Sequence, residues 1–550
     1  MKLPAAATVF LLFASILTAK EKPNIILILA DDLGYSDLGC YGGEIKTPNI
    51  DRLAAGGLRM TQLYNTARCC STRASLLTGL YPHQAGVGAM TADNGLPGYR
   101  GFLTDRGTTI ATVLRDSGYQ TFLSGKWHLR GKGNPDCIPT NRGFDEFYGH
   151  FKAYASFWRS DLYVRLPEDR QQPENREDFY ATDAITDYAI DFIEQGRKSE
   201  DPYFLYLSYN APHFPLHAPK ELIDEYTSVY EKGWDAIRES RHQRMIETGI
   251  ISEEVGLSPR GHVTKIPNRN LDSPYYDKEI PEWSSLSPDR RADLTRRMAT
   301  YAAMVEILDR NVGRVIENLT KNGELENTVV MFLSDNGACA EWDPHGFDNN
   351  PYPANKLYAG DDLIEMGQKG TLHSYGTGWA NACNTPFRLY KHYNHEGGIS
   401  SPFILHWPEA VKRAGEIDRQ PAHLVDLSAT ILEIGGGDYP EDVLPPAGIS
   451  LNPVFSGQQL PERPIFFEHE GNRAIRLGKW KLVWTNFDKR WELYDIPADR
   501  SELTNLAAAN PEKVAELERL WLDWAEKSFV QTEQIEQPAN GMPKIYYLQN

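Results

Sequence analysis

The chain has 550 residues, a net charge of −18 and a sequence pI near 5.3. With 41% hydrophobic and 24% charged residues, the composition is that of a folded globular protein and excludes a mainly disordered chain. The acidic balance argues against a general nucleic-acid binder and, on first inspection, against an anionic substrate. Six cysteines are too few for a disulfide scaffold at this length. The length predicts one large domain and at least one smaller one.

Residues 1–19 have the layout of a secretory signal peptide. Lys2 precedes an apolar run that ends in small residues before the charged residues 20–22. We predict cleavage after Ala19 and a periplasmic or secreted mature protein. The alternative is an uncleaved N-terminal anchor, but the run is short for spanning a bilayer. No later stretch is long and apolar enough to do so, which predicts no stable membrane insertion.

The first 420 residues alternate between predicted strands and helices. Residues 108–117 have the pattern of a short helix, and apolar residues recur at three- and four-residue steps over 298–319. Four apolar runs are typical of strands buried in a sheet: residues 25–30, 119–124, 203–209 and 329–333. This alternation predicts an α/β domain with a large, mixed, mainly parallel sheet sandwiched by helices. Ligand sites in such sheets lie beyond the carboxyl ends of the strands.

The end of the chain has a different pattern. Short apolar runs separated by Gly, Asn and Asp predict a small antiparallel sheet at residues 465–467, 474–477, 481–484 and 491–494. An amphipathic helix is predicted to follow from Pro511. We therefore predict a catalytic domain over residues 20–420 and a C-terminal α+β subdomain over residues 421–550. Residues 217–290 are polar and are expected to form an insertion beside the site that shapes substrate choice.

Two pairs of oxygen-bearing side chains follow predicted buried strands. Asp31 and Asp32 follow the strand predicted at residues 25–30, and Asp335 and Asn336 follow the strand predicted at residues 329–333. Hard oxygen ligands of this kind suit Ca²⁺ or Mg²⁺. Two turn-forming clusters are the alternative, since Asp and Asn are common in turns.

The segment from Cys69 to Gly79 carries the strongest chemical signal. Ser71 is expected to cap a helix that ends at Gly79, which places Cys69 at the helix N-terminus, where amides favour an anion. Arg73 lies one turn further on, near the same face. A nucleophile beside a guanidinium fits phosphoryl or sulfuryl transfer. A buried or disulfide-bonded pair of Cys69 and Cys70 is the alternative on composition alone.

This segment resembles the signature of the type I sulfatases, Cys-x-Pro/Ala/Ser-Ser/Thr-Arg followed by Leu-Thr-Gly. Six further segments match the family in the same order, so that the resemblance covers nearly the whole mature chain. They are residues 23–34 (PNIILILADDLG), 125–128 (GKWH), 211–213 (APH), 334–337 (SDNG), 385–398 (TPFR to EGG), and 480–495 (WKL to ELYD). The arrangement of motifs within residues 378–398 is similar to that of the arylsulfatase branch of this family.

The resemblance implies an alkaline-phosphatase-like fold and a modified nucleophile. Cys69, rather than Cys70, is the residue that a formylglycine-generating or anaerobic sulfatase-maturating enzyme converts to 3-oxoalanine (formylglycine). The hydrated aldehyde then attacks sulfur, and its second hydroxyl later expels sulfate. The family also implies one divalent cation, with Ca²⁺ favoured over Mg²⁺. Its expected ligands are Asp31, Asp32, Cys69, Asp335 and Asn336.

The remaining motif residues take their expected roles from the same resemblance. Arg73 orients the hydrated aldehyde, and Lys126 and Lys391 bind the sulfate oxygens. His128 is the expected base for the second hydroxyl. His213, with Lys391, stabilises or protonates the leaving oxygen. Each of these lysines and histidines, met alone, would more often be a solvated or structural residue.

Other polar residues are weaker candidates. His83 either lines the pocket or packs in the core, and His345, His392 and His395 are candidates for substrate contact that are better explained as structural. The remaining cysteines are expected to play no catalytic part: Cys40, Cys70, Cys137, Cys339 and Cys383.

We therefore expect hydrolysis of a sulfate ester to an alcohol or phenol plus inorganic sulfate. The expected substrate is a sulfated small molecule or carbohydrate. A phosphonate monoester or phosphodiester hydrolase with the same nucleophile is the enzyme alternative. A non-catalytic binder of sulfated glycans is the other alternative, although no nucleophile or metal ligand is missing. The cationic residues of the expected site can attract an anion locally despite the net charge of −18.

Overall fold

The computed structural model describes residues 22–170, 177–261, 278–341, 344–348, 355–486 and 488–532. The predicted signal peptide at residues 1–19 lies outside them. The strands are β1 (Asn24–Ala30), β2 (Leu58–Tyr64), β3 (Gln120–Lys126), β4 (Glu146–His150), β5 (Val164–Leu166), β6 (Tyr203–Ser208), β7 (Thr328–Ser334), β8 (Ser400–His406), β9 (Ile417–Asp418), β10 (Ala422–His423), β11 (Ile465–His469), β12 (Asn472–Leu477), β13 (Trp480–Trp484) and β14 (Trp491–Asp495). The α-helices are α1 (Pro48–Gly56), α2 (Cys69–Thr78), α3 (Pro82–Ala85), α4 (Ile110–Asp116), α5 (Ala181–Gly196), α6 (Lys220–Tyr230), α7 (Gly233–Glu247), α8 (Pro288–Lys321), α9 (Gly376–Cys383), α10 (Glu396–Ile399), α11 (Leu424–Gly435), α12 (Asn452–Phe455) and α13 (Pro511–Lys527).

A ten-stranded sheet forms the centre of the larger part, in the order β10-β2-β8-β7-β1-β6-β3-β4-β5, with β9 paired to β2. The central strands β7, β1, β6, β3 and β4 run parallel, whereas β8 is antiparallel to both its neighbours and β5 is antiparallel to β4. The predicted mixed, mainly parallel sheet is thus confirmed. Parallel register brings the carboxyl ends of β1, β7, β6 and β3 to one edge.

Helices cover both faces of this sheet, and β1 shows how the sequence achieves this. Its side chains alternate between the two faces, as the strand geometry requires. Ile26 and Ile28 pack into the core with α5, α6 and α8, whereas Leu27 and Leu29 pack with α2, α4 and α11. Because both faces are buried, the strand has a continuous apolar run rather than an alternating pattern.

Helix α8 has the apolar face that the spacing of residues 298–319 predicts. Its core-facing residues are buried, and its N-cap is Ser287, whose hydroxyl accepts a hydrogen bond from the Arg290 amide at 3.2 Å. A capping serine of this kind satisfies one of the free amides of the first turn. About six turns with an apolar face therefore hold α8 against the core below β1 and β7.

The C-terminal part contains a four-stranded antiparallel sheet in the order β11-β12-β13-β14. One face packs on Leu517 and Trp521 of α13, which is the amphipathic helix predicted from Pro511. The other face packs on Tyr64 and Ile399 of the larger part. Strand β10 and helix α11 follow residue 420 yet pack with the large sheet. The boundary at residue 420 stays a prediction, since the separate sheet begins only at Ile465.

Residues 217–290 differ from the expected polar insertion. Their described part forms α6 and α7, whose side chains at Tyr226, Tyr230, Trp234 and Met245 are buried in the core beside α8. The apolar residues are spaced at helical intervals among many charges, so the mean polarity of the segment conceals a buried face. Within the part of the chain that the structure describes, no helix has the length and apolarity needed to cross a membrane.

Candidate active site

The two predicted pairs of oxygen-bearing side chains meet at the carboxyl edge of the large sheet. Strands β1 and β7 pair in parallel with Ala30 opposite Ser334, so the residues that follow them are neighbours. All four side chains are buried: Asp31, Asp32, Asp335 and Asn336. The Asp32 amide donates to Asp335 Oδ1 at 3.2 Å, and Asn336 Nδ2 donates to Asp32 Oδ1 at 2.7 Å. The sheet register thus brings together residues that are some 300 positions apart in sequence.

Helix α2 presents Cys69 to this edge. The helix begins at Cys69 itself and its N-cap is Arg68, so the expected cap at Ser71 is wrong. Ser71 lies inside the first turn and donates its hydroxyl hydrogen bond to Val87 O at 2.8 Å. The helix ends at Gly79, whose φ of +69° suits a residue without a side chain. Cys69 remains at the helix N-terminus, where free amides favour negative charge.

Arg73 lies one turn after Cys69 and is completely buried. Its Nη2 donates to Asp335 Oδ2 at 2.9 Å and lies 3.6 Å from Asp31 Oδ2. Its Nη1 donates to the Lys126 carbonyl at 3.0 Å and to the Ser208 hydroxyl. The guanidinium therefore joins α2 to the ends of β1, β7, β3 and β6.

Two lysines and a histidine complete the charged cluster. Lys126 Nζ lies 2.5 Å from Asp31 Oδ2, and Lys391 Nζ lies 2.7 Å from Asp32 Oδ1. His213 Nε2 lies 3.4 Å from Asp32 Oδ2 and 3.5 Å from Lys391 Nζ. Its Nδ1 lies 2.6 Å from the Phe214 carbonyl, which assigns the proton to Nδ1 and leaves Nε2 as the acceptor.

His128 contacts the nucleophile position directly, with its Nδ1 3.3 Å from Cys69 Sγ. Burial lowers the pKa of His128 to about 4, so its imidazole is neutral near pH 7 and can accept a proton. Both His128 and Asp32 have positive φ, +52° and +65° respectively. Such backbone costs of order 1–3 kcal/mol for a residue with a side chain and is often found at functional sites.

The charged groups of this cluster also shift the pKa values of Cys69, Asp335 and Lys391. A hydrogen bond from Cys70, followed by the charges of Lys126 and His128, holds the pKa of Cys69 well below its usual range. Burial raises the pKa of Asp335, and the nearby Asp31 carboxylate raises it further. Burial disfavours the charged form of Lys391, but the attraction of Asp32 together with Cys339 and Cys69 raises its pKa. Three cationic side chains thus face three carboxylates in one buried cluster.

The donor set fits a divalent cation. Asp31 Oδ1 and Asn336 Oδ1 are buried, and neither accepts a hydrogen bond from the residues that the structure describes. A buried carboxylate or amide oxygen without a partner is costly, so each points to a ligand. Asp31, Asp32 and His213 also place one ligand atom each within 4.8 Å of one another. Carboxylate and amide oxygens are the ligands that Ca²⁺ and Mg²⁺ prefer.

The structure places the four weaker histidine candidates in different surroundings. His392 Nε2 lies 2.6 Å from Arg68 Nη1, beside the nucleophile position. His395 and His83 lie in other contacts: His395 Nε2 is 3.1 Å from Glu492 Oε2, and His83 Nε2 is 2.5 Å from Glu468 Oε2. Burial lowers the pKa of His345 to about 3, which is the behaviour of a neutral core histidine. All six cysteines are free thiols, so the disulfide-bonded alternative for Cys69 and Cys70 is not what the fold shows.

A further group beside Cys69 was not predicted. Arg68 lies 3.7 Å from Glu341, and Glu341 lies 3.9 Å from Lys391. Glu470 Oε2 lies 2.8 Å from His392 Nδ1. Ser208, at the end of β6, was also missed, although its position after a buried strand is the signal that identified the aspartates. Glu341 and Glu470 lie on loops, where no periodic pattern marks them.

This sheet edge, with a helix-terminal nucleophile position, three buried cations and a carboxylate cluster, defines a hydrolase that acts on an anionic ester. A family model, Sulfatase, matches residues 23–437, and a second model, N-sulphoglucosamine sulphohydrolase, C-terminal, matches residues 387–523. An uncharacterized sulfatase of Schizosaccharomyces pombe is 34% identical and covers 93% of this chain and 95% of its own length. An arylsulfatase of Klebsiella aerogenes is 33% identical over 82% of this chain and 96% of its own length. The solved structure of Ps i-CgsB in complex with k-i-k-neocarrahexaose has a TM-score of 0.64 and 26% identity, and covers 92% of this chain and 93% of its own.

The chain belongs to the sulfatase family. It is accordingly a sulfuric ester hydrolase, as the sequence motifs predicted, and the fold is the one that they implied.

Proposed function

We propose that this sulfatase works through formylglycine at position 69 and one divalent cation, Ca²⁺ in preference to Mg²⁺. The observation that carries the proposal is the position of Cys69. It starts α2, lies 3.3 Å from a neutral His128, and shares a buried edge with three carboxylates and Arg73. An unmodified thiol has one nucleophilic atom, whereas a hydrated aldehyde supplies one hydroxyl to attack sulfur and a second to expel sulfate.

The cation site would be formed by Asp31, Asp32, Asp335, Asn336 and the oxygen at position 69. The unpartnered oxygens of Asp31 and Asn336 support this assignment. When bound, the cation supplies Lewis-acid stabilisation of the sulfate charge and lowers the pKa of the attacking hydroxyl.

The chain's own residues would then divide the remaining work. Lys126 and Lys391 neutralise the sulfate oxygens, and Arg73 orients the group at position 69 through its bonds to Asp335 and Lys126. His128 Nδ1, 3.3 Å from Cys69 Sγ, is placed to remove the proton of the second hydroxyl. His213 and Lys391, whose Nε2 and Nζ atoms lie 3.5 Å apart, are placed together to stabilise or protonate the leaving oxygen.

For the substrate we propose a sulfated carbohydrate. The support is the likeness to Ps i-CgsB, whose structure was solved in complex with k-i-k-neocarrahexaose. The proposal also includes export after cleavage at Ala19, and maturation of Cys69 by a formylglycine-generating or anaerobic sulfatase-maturating enzyme.

Mass spectrometry of the peptide that contains Cys69 tests the nucleophile. We expect 3-oxoalanine at position 69 in protein co-expressed with a maturation enzyme, and an intact thiol there would contradict the proposal. Cys69→Ala is expected to abolish hydrolysis of 4-nitrophenyl sulfate. Cys70→Ala is expected to keep most of it, because the Cys70 thiol lies against Ala89 O and Met90 Sδ, and its hydrogen bond to the Cys69 thiol is no longer needed once position 69 is formylglycine. The reverse result would show that Cys70, and not Cys69, is the nucleophile position.

A paired assay tests the enzyme alternative. Faster turnover of an aryl phosphodiester than of the aryl sulfate would favour a phosphodiester hydrolase.

A further inference from the structure

A groove of about 640 Å³ lies between residues 152–162 and residues 369–372. Tyr154 lines this groove, and its ring is nearly parallel to that of His213 at a centroid distance of 6.4 Å. The tyrosine is 38% exposed, although large aromatic side chains are mostly buried. Tyr154 thus connects the groove to His213, the residue beside which the proposed mechanism places the leaving oxygen.

Buried hydrogen bonds hold the two walls of this groove in place. His217 Nδ1 accepts from the Phe157 amide at 3.3 Å, and its Nε2 donates to Thr371 O at 2.8 Å. Trp158 Nε1 donates to Gly367 O at 3.0 Å. Because one wall is bonded to the other through buried groups, the groove is preformed and a ligand need not order it.

The groove is cationic in an acidic protein. Lys152, Arg159 and Lys369 line it, and no carboxylate does so among the described residues. Arg159 Nη2 lies 2.5 Å from Asp161, whose pKa is lowered by the hydrogen bond from Arg159 and by the charge of Lys152. Neither Lys152 nor Lys369 forms an ion pair with another described residue. At physiological salt, charges interact over roughly 8 Å, so these lysines set the local field despite the net charge of −18.

We propose that this groove binds a second anionic group of a carbohydrate substrate, on the side of the leaving alcohol. The sugar ring that carries the leaving oxygen stacks on Tyr154, and the next anionic substituent along the chain pairs with Lys152 and Lys369. The inference rests on the proposed function, and it narrows the substrate from any sulfate ester to an oligosaccharide with at least two anionic groups. An exposed aromatic ring followed by unpaired cations is the arrangement that such a chain requires.

The test is inhibition of 4-nitrophenyl sulfate hydrolysis by three tetrasaccharides, all with the matured enzyme. One is derived from carrageenan and carries only sulfate, one is an oligogalacturonate and carries only carboxylate, and one is neutral. We expect at least one of the two anionic tetrasaccharides to inhibit better than the neutral one. The stronger anionic inhibitor shows whether the groove prefers sulfate or carboxylate. In Lys152→Ala/Lys369→Ala its inhibition constant is expected to rise about tenfold relative to the KM for the aryl sulfate. The difference should shrink at about 0.5 M salt.

A control variant removes two lysine charges at a surface away from the groove. Lys198 and Lys321 are exposed and lie near the amino-terminal ends of β6 and β7, at the sheet edge opposite the site. Lys198→Ala/Lys321→Ala should leave the inhibition constant unchanged. Equal inhibition by all three tetrasaccharides would overturn the proposal, and so would an inhibition constant that the groove variant does not change.

Binding calorimetry separates this inference from the proposed function. The inhibiting tetrasaccharide is titrated into Cys69→Ala protein with and without the two groove substitutions. If matured wild-type enzyme hydrolyses no sulfate ester, the proposed function fails. Tetrasaccharide binding that depends on the groove lysines would support the groove in that case too, and binding that is independent of them would overturn it.

Discussion

Replacing Arg73 by methionine should remove about 3–5 kcal/mol of folding stability in the absence of divalent cations. Breaking a buried ion pair by removing one partner costs this much, because the other charge stays buried without compensation. The guanidinium is fully buried and lies 2.9 Å from Asp335 Oδ2 and 3.6 Å from Asp31 Oδ2. Lys126 remains near Asp31 in the variant, so Asp335 suffers the larger loss.

A bound divalent cation should change the loss of folding stability in the Arg73→Met variant. Arg73 and a divalent cation would neutralise the same carboxylates, so either one compensates in part for the absence of the other. We therefore expect the Arg73→Met variant to lose less stability in Ca²⁺ than in EDTA. By linkage, Ca²⁺ must then raise the free energy of unfolding more in the variant than in the wild type.

Urea titrations in EDTA and in Ca²⁺ measure both effects. Arg314→Met is the control, because Arg314 pairs with Asp187 at the surface with 42% of its side chain exposed. An exposed pair of that kind is worth about 0–1 kcal/mol, in either condition. A loss below about 1 kcal/mol for Arg73→Met in EDTA would refute the assignment of Arg73 as the buried countercharge. A loss that Ca²⁺ leaves unchanged would refute the shared site.

Three further predictions concern the cation, acid stability and the C-terminal sheet. Chelation by EDTA should abolish hydrolysis of 4-nitrophenyl sulfate and Ca²⁺ should restore it more fully than Mg²⁺; full activity in metal-free protein would exclude the cation. Burial lowers the pKa of His217 to about 4. As the pH falls, the imidazole of His217 is therefore protonated in the unfolded chain before it is protonated in the folded protein. The free energy of unfolding is lowered by this difference between pH 6.5 and pH 4, by about 3 kcal/mol in all. His217→Asn should remove this part of the pH dependence of the unfolding free energy, and an unchanged slope would contradict it. Lys481→Met should lower kcat/KM as well as stability, because Lys481 neutralises Glu396 beside the Lys391 loop; wild-type kcat/KM would show that the loop does not need this contact.

The fold was predictable because its signals are local. A strand buried on both faces needs a continuous apolar run, and a helix between sheet and solvent needs a periodic one. Residues 25–30 and 298–319 carry those patterns and form most of β1 and the buried face of α8. The buried faces of α6 and α7 were not predictable from residues 217–290, because their apolar residues are few among many charges. The expected cap at Ser71 failed because Arg68 takes that position, and the serine hydroxyl bonds Val87 O instead.

The candidate site was predictable only in part, and the division has a physical basis. Asp31 and Asp335 follow buried strands, so sheet register alone places them together. Lys391 and His213 lie in loops, and only the family motifs pointed to them. Glu341 and Glu470 were missed because long-range packing brings them beside Arg68, and no spacing within the sequence encodes such a contact.

The C-terminal sheet has a physical reason to be part of this enzyme. Helix α10 begins at Glu396, five residues after Lys391, and its carboxylate is fully buried. Burial alone would favour the neutral acid, but the charges of Lys481 and Arg500 lower the pKa of Glu396 to about 2. Lys481 Nζ lies 2.8 Å from Glu396 and 2.9 Å from Glu502. Both basic residues come from the C-terminal part, so the loop that carries Lys391 depends on it for its position. Catalysis at the edge of the large sheet and folding of the small sheet are therefore coupled through one buried carboxylate.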